Sequence, residues 1–383
     1  MTNATWKVGI SGSYGGLNLG DEAILHSIIA QLRDALPVEI TVFSRNADDT
    51  ARRHAVRAVP VRTLSRAEVA AEIEPLDLFI LGGGGILYDA DAKTYLREVQ
   101  LAQELGIPVM AYAIGAGPLK EPTAQALVRE CLNRADLVTV RERRAHKVLE
   151  EAGVSREVRV TADPALLMQV EALPEGALAQ EGLEGKENMI GMSVREPGVA
   201  APDIDQNVYH ALLANAADFM VDRYDADIVF VPMEPGSLDT QHSHAVISQM
   251  LRAQRATVIK GDYTPGQLMS LMGRFRFALG MRLHFLIFAA LQGVPFVALP
   301  YASKVTGFLE DLAITAPPFK LVNAGRLIAY LDQCWDHREA MKKRIAEGLP
   351  RLKERARETH RLAIELLRQR KGSGQLLARA SLC

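Results

Sequence analysis

The chain has little cysteine, few aromatic side chains and no surplus of either charge, and each shortage excludes something. Its 383 residues include three cysteines, Cys131, Cys334 and Cys383, with no C-x-x-C pair among them. That excludes a disulfide framework and a cysteine zinc site, and it suits a reducing compartment. Forty-four Lys and Arg stand against forty-six Asp and Glu, a balance that does not suggest nucleic acid as a partner. Catalytic signatures are missing too. No serine sits on a G-x-S-x-G elbow, no Gly-Lys-Ser/Thr completes a P-loop, and no good G-x-G-x-x-G is found. The start, M-T-N-A-T-W-K-V, runs almost directly into a strand pattern with no signal peptide, so a cytoplasmic location is expected. The uncharged run Phe285–Ser303 raises the question of a membrane span, but Gln292, Gly293 and Pro295 interrupt it, and Gly-Val-Pro reads as a helix stop before a buried strand.

What is present is a long alternation of strand and helix. Hydrophobic residues at 48% and charged residues at 23% fit a soluble globular enzyme, and the length calls for two domains. Trp6–Ser11, Val38–Phe43, Leu76–Leu81, Pro108–Ile114, Leu137–Val140 and Val158–Thr161 read as buried strands, with helical patterns between most of them. After a stretch without period at 169–187, the rhythm resumes from Met189–Val194 to Phe296–Leu299 and on through Ala324–Trp335. The division expected is an N-terminal domain over 1–168, a linker over 169–187, a C-terminal domain over 188–340 and a helical tail over 341–383. Such a rhythm predicts an α/β protein with two Rossmann-like, doubly wound domains facing a cleft. From Lys342 onward twelve Lys and Arg face four Glu. This basic tail reads as a solvated helix or, alternatively, as a peripheral contact with an anionic membrane at its inner face.

In open α/β sheets, ligands meet the carboxyl ends of the strands, and the unusual residues collect there. The first strand ends in G-S-Y-G-G-L-N-L-G-D-E-A-I-L. Gly15 and Gly16 permit close backbone approach, and Asn18, Asp21 and Glu22 suit sugar hydroxyls better than phosphate. Asp21 is placed as a helix cap and Glu22 as the freer carboxylate. Gly83, Gly84 and Gly85 belong to a four-glycine run, more than a turn requires, and read as a ligand-facing loop together with Gly115 in I-G-A-G-P. Arg141 ends the strand L-V-T-V, where it either points into the cleft or pairs with Glu142 or another acid. Arg195 and Glu234 hold equivalent strand ends in the second half. His242 and His244 lack the further ligands a metal needs, so no metal is expected.

The richest stretch is G-M-R-L-H-F-L-I-F-A-A-L-Q-G-V-P-F-V-A-L-P-Y-A-S-K, Gly280 to Lys304. Arg282 and His284 straddle a strand-to-helix turn, and Tyr301 and Lys304 follow the next strand. A proton-shuttling imidazole between two cations, with no carboxylate in the stretch, suits an anionic substrate that must be protonated. Arg282, beside His284 on the turn, is the one most readily read as structural.

The blocks G-S-Y-G-G-L-N-L-G-D-E-A-I-L, L-G-G-G-G-I-L-Y-D, I-G-A-G-P-L, V-T-V-R-E, T-A-D-P and G-M-R-L-H-F-L-I-F-A-A run in that order from Gly12 to about Leu312. In this they resemble the polysaccharide pyruvyl transferases. The resemblance implies a fold like the GT-B glycosyltransferases. It also implies transfer of the pyruvyl unit of phosphoenolpyruvate onto a sugar of a cell-envelope or exopolysaccharide glycan, as a ketal, with release of phosphate. Arg141, His284 and Lys304 then fall on the family's functional arginine, histidine and lysine. Phosphoenolpyruvate is the donor, a sugar or lipid-linked glycan the acceptor, and no separate cofactor is implied. One departure stands out: the family commonly has Tyr-Asp-Pro-Lys where this chain has Tyr301-Ala302-Ser303-Lys304. Lysine orientation or acceptor choice is where this protein is expected to differ. Two other readings fit the same architecture, a nucleotide-sugar glycosyltransferase with Glu234 on a ribose and a catalytically silent glycan-binding scaffold subunit.

Overall fold

The computed structural model describes residues 5–196, 205–234, 236, 238–299, 303–315 and 323–380, without the side chains of 303 and 370–380. Contacts divide the chain into two compact units. Unit 1 runs to Gly16, resumes over Asp21–Leu167 and takes up the chain again from Lys353, while unit 2 holds Leu17–Gly20 and Met168–Leu352.

Unit 1 alternates β1 (Trp6–Ser11), α1 (Leu19–Ala35, whose first two residues count with unit 2), β2 (Val38–Ser44), α2 (Ala47–His54), β3 (Arg57–Pro60), α3 (Arg66–Ile73), β4 (Leu78–Leu81), β5 (Gly84–Leu87), α4 (Ala92–Glu104), β6 (Val109–Ala116), α5 (Pro122–Asn133), β7 (Leu137–Val140), α6 (Arg143–Glu151) and β8 (Val158–Val160). The strands form one parallel sheet in the order β3-β2-β1-β4-β6-β7-β8, with β5 added to the far half of β6. Both β4 and β6 are buried along their whole length. Continuous apolar strands of this kind belong to a sheet covered on both faces. The order turns back on itself between β1 and β4, which makes their carboxyl ends the crossover where such folds bind ligands.

Unit 2 repeats the plan with α7 (Ala177–Gln180), β9 (Met189–Ser193), α8 (Gln206–Tyr224), β10 (Asp227–Phe230), α9 (Leu238–Ile247), β11 (Ala256–Val258), α10 (Pro265–Met272), β12 (Phe275–Gly280), α11 (Leu283–Leu291), β13 (Phe296–Ala298), α12 (Ser303–Asp311), α13 (Ala324–Asp336) and the start of α14 (Arg338–Ala380). Its parallel sheet runs β11-β10-β9-β12-β13, so the crossover lies between β9 and β12. Helix α10 starts where Thr264 and Gln267 cap each other's backbone N–H groups, with Pro265 at the first turn.

Two segments carry more structure than their sequence suggests. The stretch 169–187 is stitched to unit 2. Glu181 accepts hydrogen bonds from the Lys260 and Gly261 N–H groups and the Tyr263 hydroxyl, and Glu171 accepts one from Thr264. The basic tail is helix α14, whose buried stripe Ile345, Leu352, Ala356, Thr359, Ala363 and Leu367 follows helical spacing. In unit 1 its Thr359 hydroxyl meets the Thr161 hydroxyl at 2.7 Å, and Arg355 donates to the Thr161 carbonyl. Among the described residues no helix is long and apolar enough to cross a membrane.

Candidate functional site

At the unit 1 crossover the glycine turns are filled by side chains of the same unit. Gly84 and Gly85 lie within β5, paired with Ile114 and Gly115 of β6, rather than in an open loop. A Cβ on Gly83 would press on Ile24 and the Tyr112 carbonyl, and one on Gly85 would meet the Tyr88 hydroxyl at 2.5 Å. Gly84 has φ +104°, which L side chains avoid, and Asp21 sits over it. At the end of β1, Gly15 turns with φ +73° against Ser44, and Gly16 lies under the Arg45 guanidinium. The Tyr14 ring packs on Gly12 and Gly82 with its hydroxyl fully buried. Burial, then the charges of Asp21 and Glu22, push that hydroxyl well above its usual titration range.

Two expectations for the acidic pair are corrected here. Helix α1 starts at Leu19, two residues before Asp21. The residue that caps it is Asn18, whose Oδ1 accepts from the Gly20 N–H at 3.0 Å. Glu22 is the confined carboxylate, not the free one. It is 1% exposed, accepts from the Gly15 N–H at 3.1 Å and lies 2.7 Å from the ring nitrogen of buried His54. Its place on the inward face of an amphipathic helix accounts for this.

Arg141 follows β7 and is buried. Its Nε donates to Glu142 at 2.8 Å and its Nη1 to Asp163 at 2.9 Å, while Nη2 faces Gly115. Burial opposes the charge, but Glu142, Asp163 and Tyr88 outweigh it and hold the guanidinium firmly protonated. Of the two arrangements the sequence allowed, pairing with acids is realised, and it leaves Nη2 directed at a glycine.

The unit 2 crossover is organised around Arg282 and His284. Helix α11 is apolar nearly all round, with Leu283, Phe285, Leu286, Ile287 and Phe288 buried, and His284 is its half-buried polar exception in the first turn. Arg282 is the residue before the helix and only 7% exposed. Its Nε and Nη2 grip Asp239 at 3.0 and 2.5 Å, and Nη2 also donates to Glu234 at 2.9 Å. This clamp fits the structural reading of Arg282, and the stretch free of carboxylates in sequence is met by two in space. Glu234 is held in turn by Asn18, whose Nδ2 donates at 2.5 Å, and Arg282 and Asn18 more than offset burial to keep it below the usual carboxylate range. Gly20 lies directly against the His284 ring.

The other expected residues are placed as follows. Arg195, just past β9, donates to Glu196 at 3.2 Å, and its carbonyl accepts from the buried Tyr209 hydroxyl at 2.7 Å. Lys304 is half-buried at the second position of α12, beyond β13, the strand beside β12. Tyr301 lies outside the described residues. Among those residues no group of three or more His, Cys, Asp or Glu is arranged to hold a metal ion, and His242 instead meets His210 at 2.9 Å. Cys131 and Cys334 are unpaired and buried, with the Cys131 thiol pushed up to about 12 by burial.

A family model described as polysaccharide pyruvyl transferase matches residues 18–303, well over half of the chain. The chain belongs to that family. No curated protein matches it. Solved structures with the same fold include UDP-GlcNAc 2-epimerase from Neisseria meningitidis bound to UDP-GlcNAc. That one is 13% identical over 95% of this chain and 100% of its own, with TM-score 0.60. The Methanocaldococcus jannaschii UDP-GlcNAc 2-epimerase in complex with UDP-GlcNAc and UDP is 13% identical over 86% and 93%, at 0.59. A glycosyltransferase from Rickettsia africae is 11% identical over 95% and 99%, at 0.63. At such identities the likeness establishes a GT-B-like fold for this pyruvyl transferase family member and nothing finer.

The residues that sequence reasoning missed are partners: Asp163, Tyr88 and Tyr14 in unit 1, and Asp239 in unit 2. Asp163 had a signal in T-A-D-P. Asp239 had none beyond an acidic first turn of α9, which ordinarily reads as a helix-dipole effect.

Proposed function

We propose that this protein transfers the pyruvyl group of phosphoenolpyruvate onto two hydroxyls of a glycan sugar, forming a cyclic ketal and releasing phosphate. The observation that carries the reading, beside the family itself, is the single imidazole seated in the first turn of α11 at the unit 2 crossover. In the reaction one sugar hydroxyl adds to C2 of the enol and the methylene carbon gains a proton to become a methyl group. The second hydroxyl then displaces phosphate from C2 and closes the ring. His284 supplies the proton to the methylene, since an imidazole ordinarily exchanges protons near neutral pH. Within unit 2, Lys304 and the N-terminus of α11 suit the anionic groups of the donor; within unit 1, the Nη2 edge of Arg141 is the group suited to an anion. Asp21, which lies over Gly84 at the unit 1 crossover, is the carboxylate proposed to orient a sugar hydroxyl.

Thermal unfolding with phosphoenolpyruvate against UDP and UDP-sugars tests the donor. A ligand at about 100 times its dissociation constant adds ~2.7 kcal/mol. Stabilisation by UDP alone would favour a nucleotide-sugar transferase. For the chemistry, His284→Ala should lower phosphate release with a competent glycan by roughly 10²–10⁴-fold while leaving phosphoenolpyruvate binding largely intact. Near-normal turnover would remove His284 from the mechanism.

The α14 tail supports a second, separable proposal, contact with an anionic membrane. Its apolar stripe is docked, and Lys343 and Arg344 are exposed. Reversing both to Glu should abolish sedimentation with anionic vesicles. Equal sedimentation of both forms would sink the idea.

A further inference from the structure

We propose that Gly20 is the seat of the His284 imidazole, and that Leu17–Gly20 is a strap whose work is to position that ring. The catalytic part of this inference rests on the reading of His284 given above; the seat itself does not. Gly20 is buried and lies inside helix α1 with no left-handed φ. Nothing in its backbone asks for glycine, and a helical glycine costs about 1 kcal/mol relative to alanine. The reason lies across the contact. A Cβ on Gly20 would stand 1.9 Å from Nδ1, 2.4 Å from Cγ and 2.7 Å from Cε1 of His284, so one whole edge of the ring occupies the space a side chain would need.

The strap is fastened through Asn18, Leu19 and Gly20 to the network that also carries the histidine. The Leu19 N–H donates to the Met233 carbonyl at 2.9 Å. Asn18 donates to Glu234 through Nδ2 and accepts from the Gly20 N–H through Oδ1. Glu234 accepts from Arg282, Arg282 is clamped on Asp239, and Asp239 accepts from the Met233 N–H at 3.1 Å. His284 stands two residues after Arg282. The seat and the ring are thus both referenced to the Glu234–Arg282–Asp239 cluster, which keeps their separation fixed. This unites two blocks far apart in sequence, N-L-G at the start and R-L-H at 282–284, in one device. Gly20 and Asn18 act as positioning residues, through His284 and not on substrate.

The test uses the full chain and two readouts. With His284→Gln to assign its signals, the imidazole nitrogen shifts of His284 should move in the folded Gly20→Ala protein without any substrate. Turnover should fall about 10²-fold, the scale of a 1 Å misplacement, with KM for phosphoenolpyruvate changed less than about twofold, as expected when only transition-state contacts are lost. In a His284→Gln background the same change should cost no further activity, because the two residues act as a unit. Asn18→Ala adds no atoms at the seat and serves should Gly20→Ala fail to fold. It should broaden the same signals and lower turnover more modestly. Unmoved His284 signals in either folded variant, or an equal loss of turnover in both backgrounds, would overturn the proposal. Should the wild-type protein not use phosphoenolpyruvate, the proposed reaction fails while the ring signals still decide the seat.

Discussion

The crossovers of the two units are built from the same parts to different ends. Each has a fully buried tyrosine beneath it, Tyr14 in unit 1 and Tyr209 in unit 2. Each has a buried arginine set against two carboxylates, Arg141 with Glu142 and Asp163, Arg282 with Glu234 and Asp239. One guanidinium against two carboxylates leaves each cluster formally at −1, so neither arginine is the bare anion receptor its place in the sequence suggests. The difference is in what remains. Arg282 has Nη2 engaged by both acids, whereas Arg141 uses Nε and Nη1 and turns Nη2 to Gly115. Arg282 ties down the turn that carries His284, whereas Arg141 leaves Nη2 clear of both its acids.

The largest expected effect divides the two arginines. Arg282→Met and Arg141→Met should each lower unfolding free energy by roughly 3–5 kcal/mol, because removing one partner strands buried carboxylates. Chemical denaturation measures that loss. The comparison sharpens on adding phosphoenolpyruvate. Any Arg282→Met protein still folded should keep its stabilisation by the donor, and the Arg141→Met protein should lose it. The reverse pattern would exchange their roles.

A smaller effect divides the tyrosines. The Tyr209 hydroxyl donates to the Arg195 carbonyl at 2.7 Å and lies 2.9 Å from the Met281 sulfur. Removing it in Tyr209→Phe leaves a partly buried carbonyl short of a partner and should cost about 1–2 kcal/mol. The Tyr14 hydroxyl forms no hydrogen bond with the described residues, so Tyr14→Phe should lie within about 0.5 kcal/mol of wild type. A cost as large as that at Tyr209 would mean that Tyr14 holds something at the unit 1 crossover.

The elements legible in sequence are those with their own punctuation. Helices α10 and α11 carry such marks: Pro265–Met272 opens on Thr-Pro, and Leu283–Leu291 is an apolar run closed by Gly293. Strand β3 was not legible, because Arg57–Pro60 is a four-residue edge strand with a charge and a proline and shows no apolar run. Strand β5 was hidden under its own glycines. For the site, the positions were legible, since glycine turns, arginine and histidine gather at strand ends. Which of them are engaged was not. Glu234 and Asp239 reach Arg282 from 48 and 43 residues away, and no local pattern records a partner at that distance.

The smallest effect concerns acid. Each unit carries one histidine whose titration is depressed by burial, His210 in unit 2, helped by His242, and His360 in unit 1, where Asp34 works the other way. A depressed value means that the native state favours the neutral ring. The stability this contributes is complete above the ordinary value of 6.5 and is lost as pH falls from there through the folded value. The unfolding midpoint should therefore decline as pH drops below 6.5. His210→Gln should flatten that decline more than His360→Gln, because His210 has a second imidazole 2.9 Å away, whereas Asp34 favours the charged form of His360. Equal flattening by the two variants would show that burial alone sets the acid response, and that the His210–His242 pair contributes nothing of its own.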